Sequence, residues 1–288
     1  ACDESARSRG LRVTGSELVG LIPKKAILDA GKHYLRRMSR SPGVPEADIV
    51  HTAERTLGLG EVADFNPKEK IIEEILAPDR PLVSMTVQQF ADETSRDSAA
   101  PGGGSVAAVS GALGAALAAM VANLPHPKQA FEEVRPELEE VASRAQELKQ
   151  DLLDAVDADT WAFQALMEAT KTAGPGREAA VREATLGAAL VPLSVAETCP
   201  EVAELCARAR ELGMKASASD AAVGAGMARA AAIGAAMNVR INLKDMADDA
   251  QAVELLKRAD AAVRSTRARA SQVEAEVWSV LGGDVSDL

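Results

Sequence analysis

Residues 138–166 read LEEVASRAQELKQDLLDAVDADTWAFQAL. Leu138, Val141, Ala145, Leu148, Leu152 and Val156, then Phe163 and Leu166, recur at the alternating three-and-four spacing of one helix face. Asp159 falls where the next apolar residue of that stripe belongs. Burying an ionised carboxylate without a partner costs roughly several kcal/mol, so Asp159 is paired, altered in its proton affinity, or turned toward a cleft where it does chemistry. Asp157 points roughly away from the stripe. The two acids of Val156-Asp157-Ala158-Asp159 are therefore not equivalent.

Working outward, everything beyond the Ala77-Pro78-Asp79-Arg80-Pro81 linker reads helical. Thr86 with Gln89 makes a capping box for a short helix reaching about Asp97. Pro101-Gly102-Gly103-Gly104-Ser105 opens an uncharged helix to Leu124, and the striped helix runs from about Pro136 to Lys171 before Gly174-Pro175-Gly176. A fourth helix spans about Arg177–Leu212 with a kink expected at Pro192 and an irregularity at Pro200. Ser217 or Ser219 caps a fifth, to about Met246, and the last covers about Asp249–Leu281. The expected fold is mainly all-α, an antiparallel bundle of about six helices.

The part before the linker is different. A β-like stretch at Leu11–Ile22 precedes helices at about Lys24–Met38 and Ala47–Leu57 and a short helix ending at Leu76, so residues 1–76 read as a small, incomplete α/β segment. One strand cannot satisfy its own edges. The chain also opens on Ala1 with Cys2-Asp3-Glu4 already reading as the interior of an element, as in a piece of something longer.

Composition narrows the function classes. Of 288 residues 47% are hydrophobic but only 2% aromatic, which suits closely packed helices with small contact residues rather than a β-sandwich. A formal net charge of −11 argues against a general nucleic-acid binder. Cys2, Cys199 and Cys206 form no CxxC and no Cys/His cluster, so neither a disulfide framework nor a metal site is expected, and a reduced cytoplasmic compartment is inferred. The 102–124 run has the length to cross a bilayer, yet its Ala/Gly content without aromatic anchors reads as a buried helix, and no membrane partner is expected.

Four constellations can carry chemistry. Gly102, Gly103, Gly104 and Ser105 put bare backbone N–H groups and a positive dipole end at a helix start, able to hold an anion, though without the Lys and preceding strand of a P-loop. Asp157 and Asp159 form the second. Asn238 and Asn242, with Asp245, make a polar stripe on the fifth helix, and Arg240 and Lys244 a basic pair on another face. Ser217, Ser219 and Asp220 read most simply as a cap with a dipole-favouring acid. Gly111 and Gly114 read as helix-contact positions, and the Gly111, Ala115, Ala118 side as the contact for a second copy.

In order along the chain stand Pro101-Gly102-Gly103-Gly104-Ser105-Val106-Ala107-Ala108, Val156-Asp157-Ala158-Asp159 with Ala162-Phe163, Val191-Pro192-Leu193 to Ala196-Glu197, Ser219-Asp220, and Asn238-Val239-Arg240-Ile241-Asn242-Leu243. On these the stretch from Thr86 onward resembles the cyclodeaminase/cyclohydrolase family found in the C-terminal half of formimidoyltransferase-cyclodeaminases. Val13-Thr14-Gly15-Ser16-Glu17-Leu18-Val19-Gly20-Leu21-Ile22-Pro23 and Phe65-Asn66-Pro67-Lys68-Glu69-Lys70-Ile71-Ile72-Glu73 are similar to the closing segments of a glutamate formimidoyltransferase domain. None of His33, His51 and His126 sits in the motif of that family's catalytic histidine, so transferase activity is not expected of this chain.

The resemblance implies domains at 1–76 (transferase remnant), 77–85 (linker) and 86–288 (helical cyclodeaminase), and an ammonia-lyase step in histidine degradation and one-carbon folate metabolism. In that step 5-formimidoyltetrahydrofolate becomes 5,10-methenyltetrahydrofolate and ammonia. It places the catalytic acid on Asp159 and substrate contacts on Gly102, Gly103, Gly104, Ser105, Asp157, Asp220, Asn238 and Asn242, with no metal and no covalent cofactor. A tetrahydrofolate derivative, polyglutamylated forms included, is the implied substrate, a homodimer or higher homo-oligomer the implied assembly, and a separate glutamate formimidoyltransferase an implied partner. Methenyltetrahydrofolate cyclohydrolase activity and a non-catalytic helical assembly module stand as alternatives.

Overall fold

The computed structural model of the protein describes residues 2–98, 100–171 and 173–283, and the chain divides into two compact units, the first ending at Asp79 and the second beginning at Arg80. The first holds helices α1 (Cys2–Arg7), α2 (Lys24–Arg37), α3 (Glu46–Leu57), α4 (Pro67–Lys70) and α5 (Ile72–Leu76). Its core gathers Ile27, Val50, Ala53, Leu59 and Ile71. The helix boundaries follow local chemistry: Asn66 caps α4 by accepting from Lys68 N–H, with Pro67 at the first helical position, and Gly58 ends α3 with φ +66.

The expected strand at Leu11–Ile22 does not form. Among the described residues the α/β character reduces to one parallel bridge, in which the Ile22 N–H donates to the Lys70 carbonyl at 2.9 Å and Ile22 accepts from Ile72 N–H at 3.0 Å. A strand needs a ladder along its length, and Leu11, Val13, Val19 and Leu21 stay exposed instead.

The second unit is the helical bundle: α6 (Val87–Thr94), α7 (Gly103–Asn123), α8 (Arg135–Lys171), α9 (Arg177–Leu212), α10 (Ala218–Asn242) and α11 (Ala250–Val280). The capping box is present, with Thr86 accepting from Gln89 N–H and the Gln89 side chain returning to Thr86 N–H, although α6 stops at Thr94. α7, apolar almost all round, is the central helix and packs against α8, α9 and α10.

Small residues set how closely these helices approach. Ala108, Ala112, Ala115 and Ala119 of α7 lie against a core that includes Ala225, Ala228, Ala231 and Ala235 of α10. A Cβ on Gly114 would lie 2.7 Å from the Gly224 carbonyl oxygen. α7 and α10 run antiparallel, since Gly103 neighbours Asn238 while Gly114 neighbours Gly224. Gly111, expected on an outer contact face, instead points into the core, where its added Cβ would stand 3.2 Å from both Leu152 methyls. Ala115 and Ala118 are likewise fully buried. The small-residue side of α7 is therefore the internal seam of the bundle.

α9 continues through both Pro192 and Pro200. A proline has no N–H, so Pro192 leaves the carbonyl four residues back, that of Ala188, without its helical donor. Asn242 Nδ2 fills that place, donating to the Ala188 carbonyl at 2.8 Å. At the start of α10, Ser217 takes the N-cap position but makes no side-chain cap; its hydroxyl turns back to donate to the Met214 carbonyl at 3.0 Å.

Candidate active site

The apolar stripe of α8 behaves as its spacing predicts as far as Val156: Leu138, Val141, Ala145, Leu148, Leu152 and Val156 are buried. Beyond Val156 the bundle opens: Asp159 is only half-buried and Phe163 is exposed. Asp159 sits at this edge, half-buried, with its carboxylate against the first turn of α7. A Cβ on Gly104 would overlap Asp159 Oδ1, so only glycine leaves room for the carboxylate there. Ser105 Oγ lies 3.3 Å from Asp159 Oδ2 and 3.0 Å from the Val156 carbonyl oxygen. Burial holds the Asp159 carboxyl above the usual carboxylate range, while the hydroxyl and backbone N–H of Ser105 pull the other way.

The four residues Gly102 to Ser105 thus divide. Gly104 and Ser105 are engaged with Asp159, so the start of α7 is turned toward the chain's own carboxylate. Gly103 is exposed and lies beside Asn238, whose Nδ2 would be 3.2 Å from an added Cβ, and Gly102 faces open space. Asn238 is half-buried and its amide donates to the Gly234 carbonyl of its own helix at 2.8 Å. Asp159, Gly103, Gly104, Ser105 and Asn238 therefore come together where α7 begins, α8 leaves the core and α10 nears its end.

Three sequence-predicted contacts lie otherwise. Asp157 is not placed to meet substrate: it is 1% exposed, and its two carboxylate oxygens accept from Leu82 N–H at 2.9 Å and Val83 N–H at 3.2 Å. The segment that enters the bundle before α6 lies over this flank of α8, and Arg80 pairs with Asp154 one turn earlier at 2.6 Å. A carboxylate with two backbone donors is a satisfied anchor for the entering chain. Asp220 stands in the first turn of α10, eighteen residues from Asn238, which at the α-helical rise is about 27 Å away within one chain. Asn242 is committed to the Ala188 carbonyl.

Arg240 pairs with Asp260 of α11 at 2.5 Å, which leaves it a surface role. A hollow of about 390 Å³ in the first unit, between Arg7, Thr14, Ser16, Tyr34, Arg37 and Thr56, contains none of the predicted site residues.

The family model for formiminotransferase-cyclodeaminase matches residues 86–261, and that for the formiminotransferase domain matches residues 1–77. The chain belongs to the formiminotransferase-cyclodeaminase family. A formimidoyltransferase-cyclodeaminase from Sus scrofa is 36% identical over 280 residues, covering 93% of this chain and 51% of the relative. The chain spans about half the length of the formimidoyltransferase-cyclodeaminases it matches. A methenyltetrahydrofolate cyclohydrolase from Methylorubrum extorquens is 37% identical over 178 residues, 60% of this chain and 86% of the relative. The crystal structure of a formiminotetrahydrofolate cyclodeaminase from Thermotoga maritima superposes with a TM-score of 0.61 at 30% identity, covering 67% of this chain and 98% of that one. The Thr86-onward motifs that carry the family resemblance are those that build the opening at Asp159, apart from Ser219-Asp220 at the far end of α10 and the Pro192 segment, whose part is to free the Ala188 carbonyl.

Removing the Asn242 amide tests the last point. Asn242→Ala leaves the Ala188 carbonyl without a donor and should lower stability by about 1–2 kcal/mol. Chemical denaturation of variant and parent checks it, and an unchanged midpoint would show that the bond carries no net stability.

Proposed function

We propose that the helical unit is a formimidoyltetrahydrofolate cyclodeaminase in which Asp159 shuttles the proton. The observation that carries the reading is a half-buried carboxylate held where α8 leaves the core, against the first turn of α7, with proton affinity raised by burial, in a family whose relatives bear that activity in their names. The reaction needs such a group. When the aniline-side nitrogen attacks the amidinium carbon, that nitrogen carries a surplus proton, while the former amidine nitrogen must gain one to leave as ammonia. Asp159 accepts the first proton and returns it to the departing nitrogen, so the adduct goes forward to the methenyl product rather than back. Gly102, Gly103 and Asn238 border the same opening and are the proposed substrate contacts. The roles of Asp157 and Asn242 are better described as support.

Purified protein given 5-formimidoyltetrahydrofolate should produce the methenyl chromophore with one equivalent of ammonia. Hydrolysis of the methenyl compound without any ammonia-yielding reaction would favour the cyclohydrolase reading instead, which the Methylorubrum extorquens relative keeps open.

We further propose that the working unit is a homodimer built on the outer faces of α7 and α10. Those faces carry Val106, Val109, Leu113, Leu117, Met120 and Leu124 at three-and-four spacing along one helix, and Val223, Met227, Met237 and Ile241 on the other, with Ala230 and Gly234 at the register positions between Met227 and Met237. Other faces of the bundle carry ion pairs, such as Arg144–Glu201, Arg258–Glu197 and Arg269–Glu204, beside smaller apolar exposures such as Trp161, Phe163 and Met167 on α8. A long two-helix apolar face favours association, and its lack of charge fits a second identical face better than a charged partner. Gly103 and Met237 place the site at one end of that face. Leu113→Glu together with Met237→Glu should convert a dimer to a folded monomer in sedimentation velocity; a parent that is already monomeric, or a double variant that still dimerises, would remove this assignment. A cytoplasmic location, folate polyglutamates as substrate and a separate transferase as supplier belong to the same proposal.

A further inference from the structure

Resting on the reading of Asp159 as proton carrier, we infer that Gly104 and Ser105 are positioning residues for it. Gly104 supplies the space that seats the carboxylate on the first turn of α7, and Ser105 is a hydroxyl that changes its hydrogen-bond partner with the proton state of the acid.

The seat is steric. Asp159 Oδ1, Oδ2 and Cγ are the three nearest atoms to the place a Gly104 Cβ would occupy, so any side chain there pushes the carboxylate outward. Asp159 comes from α8, which is held in register by the buried stripe up to Val156 and by the Asp157 anchor two residues earlier. The carboxylate is thus fixed from behind by α8 and from below by α7. Moving one wall by the width of a methyl group shifts the reacting oxygen by a distance on the order of 1 Å, enough to cost roughly a hundredfold in rate.

The hydroxyl is a matter of proton count. Ser105 is fully buried, and its Oγ lies within reach of two oxygens, the Val156 carbonyl at 3.0 Å and Asp159 Oδ2 at 3.3 Å. The carbonyl can only accept, and a serine hydroxyl has one proton to give. When Asp159 is ionised, that proton turns to Oδ2. When Asp159 has taken the substrate's proton, the acid donates to Oγ and the hydroxyl donates to Val156. Each protonation state is then hydrogen-bonded, and no buried oxygen is left alone during the transfer. The Ser105 backbone N–H favours the ionised state. Glycine alone at 104 and a hydroxyl at 105 are therefore parts of one device.

Four proteins test this together: the parent, Asp159→Asn, Gly104→Ala and Ser105→Ala, each checked for helical content and assayed for methenyl formation across pH. The expected result has Asp159→Asn lowered by roughly 10²–10⁴-fold and Gly104→Ala about a hundredfold lower in kcat with little change in KM. Ser105→Ala should remain active, with the acidic limb of kcat displaced to higher pH, because the ionised carboxylate has lost a donor. Should Gly104→Ala fail to fold, the Ser105→Ala pH profile decides alone. An Asp159→Asn lowered to that extent beside Gly104→Ala and Ser105→Ala variants with parental kcat and parental pH profile would overturn the positioning roles and leave the acid in place. A fully active Asp159→Asn would overturn the acid itself.

Discussion

Replacing Asp159 by Asn is expected to lower methenyl formation by roughly 10²–10⁴-fold while far-ultraviolet circular dichroism stays that of the parent. Asn matches the carboxylate in shape and still fits above Gly104, where the space is already open. It can neither take the proton from the attacking nitrogen nor return it to the leaving one. KM should change much less than kcat, since the lost interaction belongs to the transition state. Ammonia release measured beside the chromophore separates failure of expulsion from failure of cyclisation. Turnover within a few-fold of the parent would mean that another group carries the proton.

The second large effect concerns the seam between α7 and α10. Gly114→Leu should destabilise the bundle by about 3 kcal/mol or more, because even its Cβ would stand 2.7 Å from the Gly224 carbonyl, backbone that cannot step aside without parting the two helices. The Leu side chain would also meet Val202 of α9. Leu113, one residue earlier and half-exposed, already carries a leucine side chain outside the seam. Thermal denaturation of the variant should show a lower and broader transition; a midpoint equal to the parent's would mean that the seam has slack.

How much of this was readable from the residues depends on where each one's partner lies. The α8 stripe and the break at Asp159 were legible because their period is local. The capping box at Thr86 and Gln89 was legible for the same reason. Asp157 was not: its donors are the backbone N–H groups of Leu82 and Val83, more than seventy residues upstream, and backbone N–H groups leave no mark in a sequence. Gly111 is a helix-contact position as its small size implies, but the contact is internal rather than with a second copy, since α7 is apolar on every side and its pattern does not tell seam from outer face. Asp220 follows the chain order of the family motifs, but in a long helix order along the chain is distance, and it lies at the other end of α10. Asn242 had a signal that went unused. A proline inside a helix names the carbonyl that will need a donor, and Pro192 names Ala188.

That last pairing bears on how such a chain can change over time. With Pro192 present, the Asn242 amide is a donor for the Ala188 carbonyl, and its loss leaves that carbonyl without the bond the proline already denies it. With an ordinary residue at 192, the main chain supplies a donor of its own and the amide becomes dispensable. The two positions are thus epistatic, and the order of substitution matters: proline can be lost first at little cost, after which position 242 is free to drift, whereas the reverse route passes through a weakened intermediate. Among descendants of one ancestor, a missing amide at 242 should accompany a missing proline at 192 far more often than the converse.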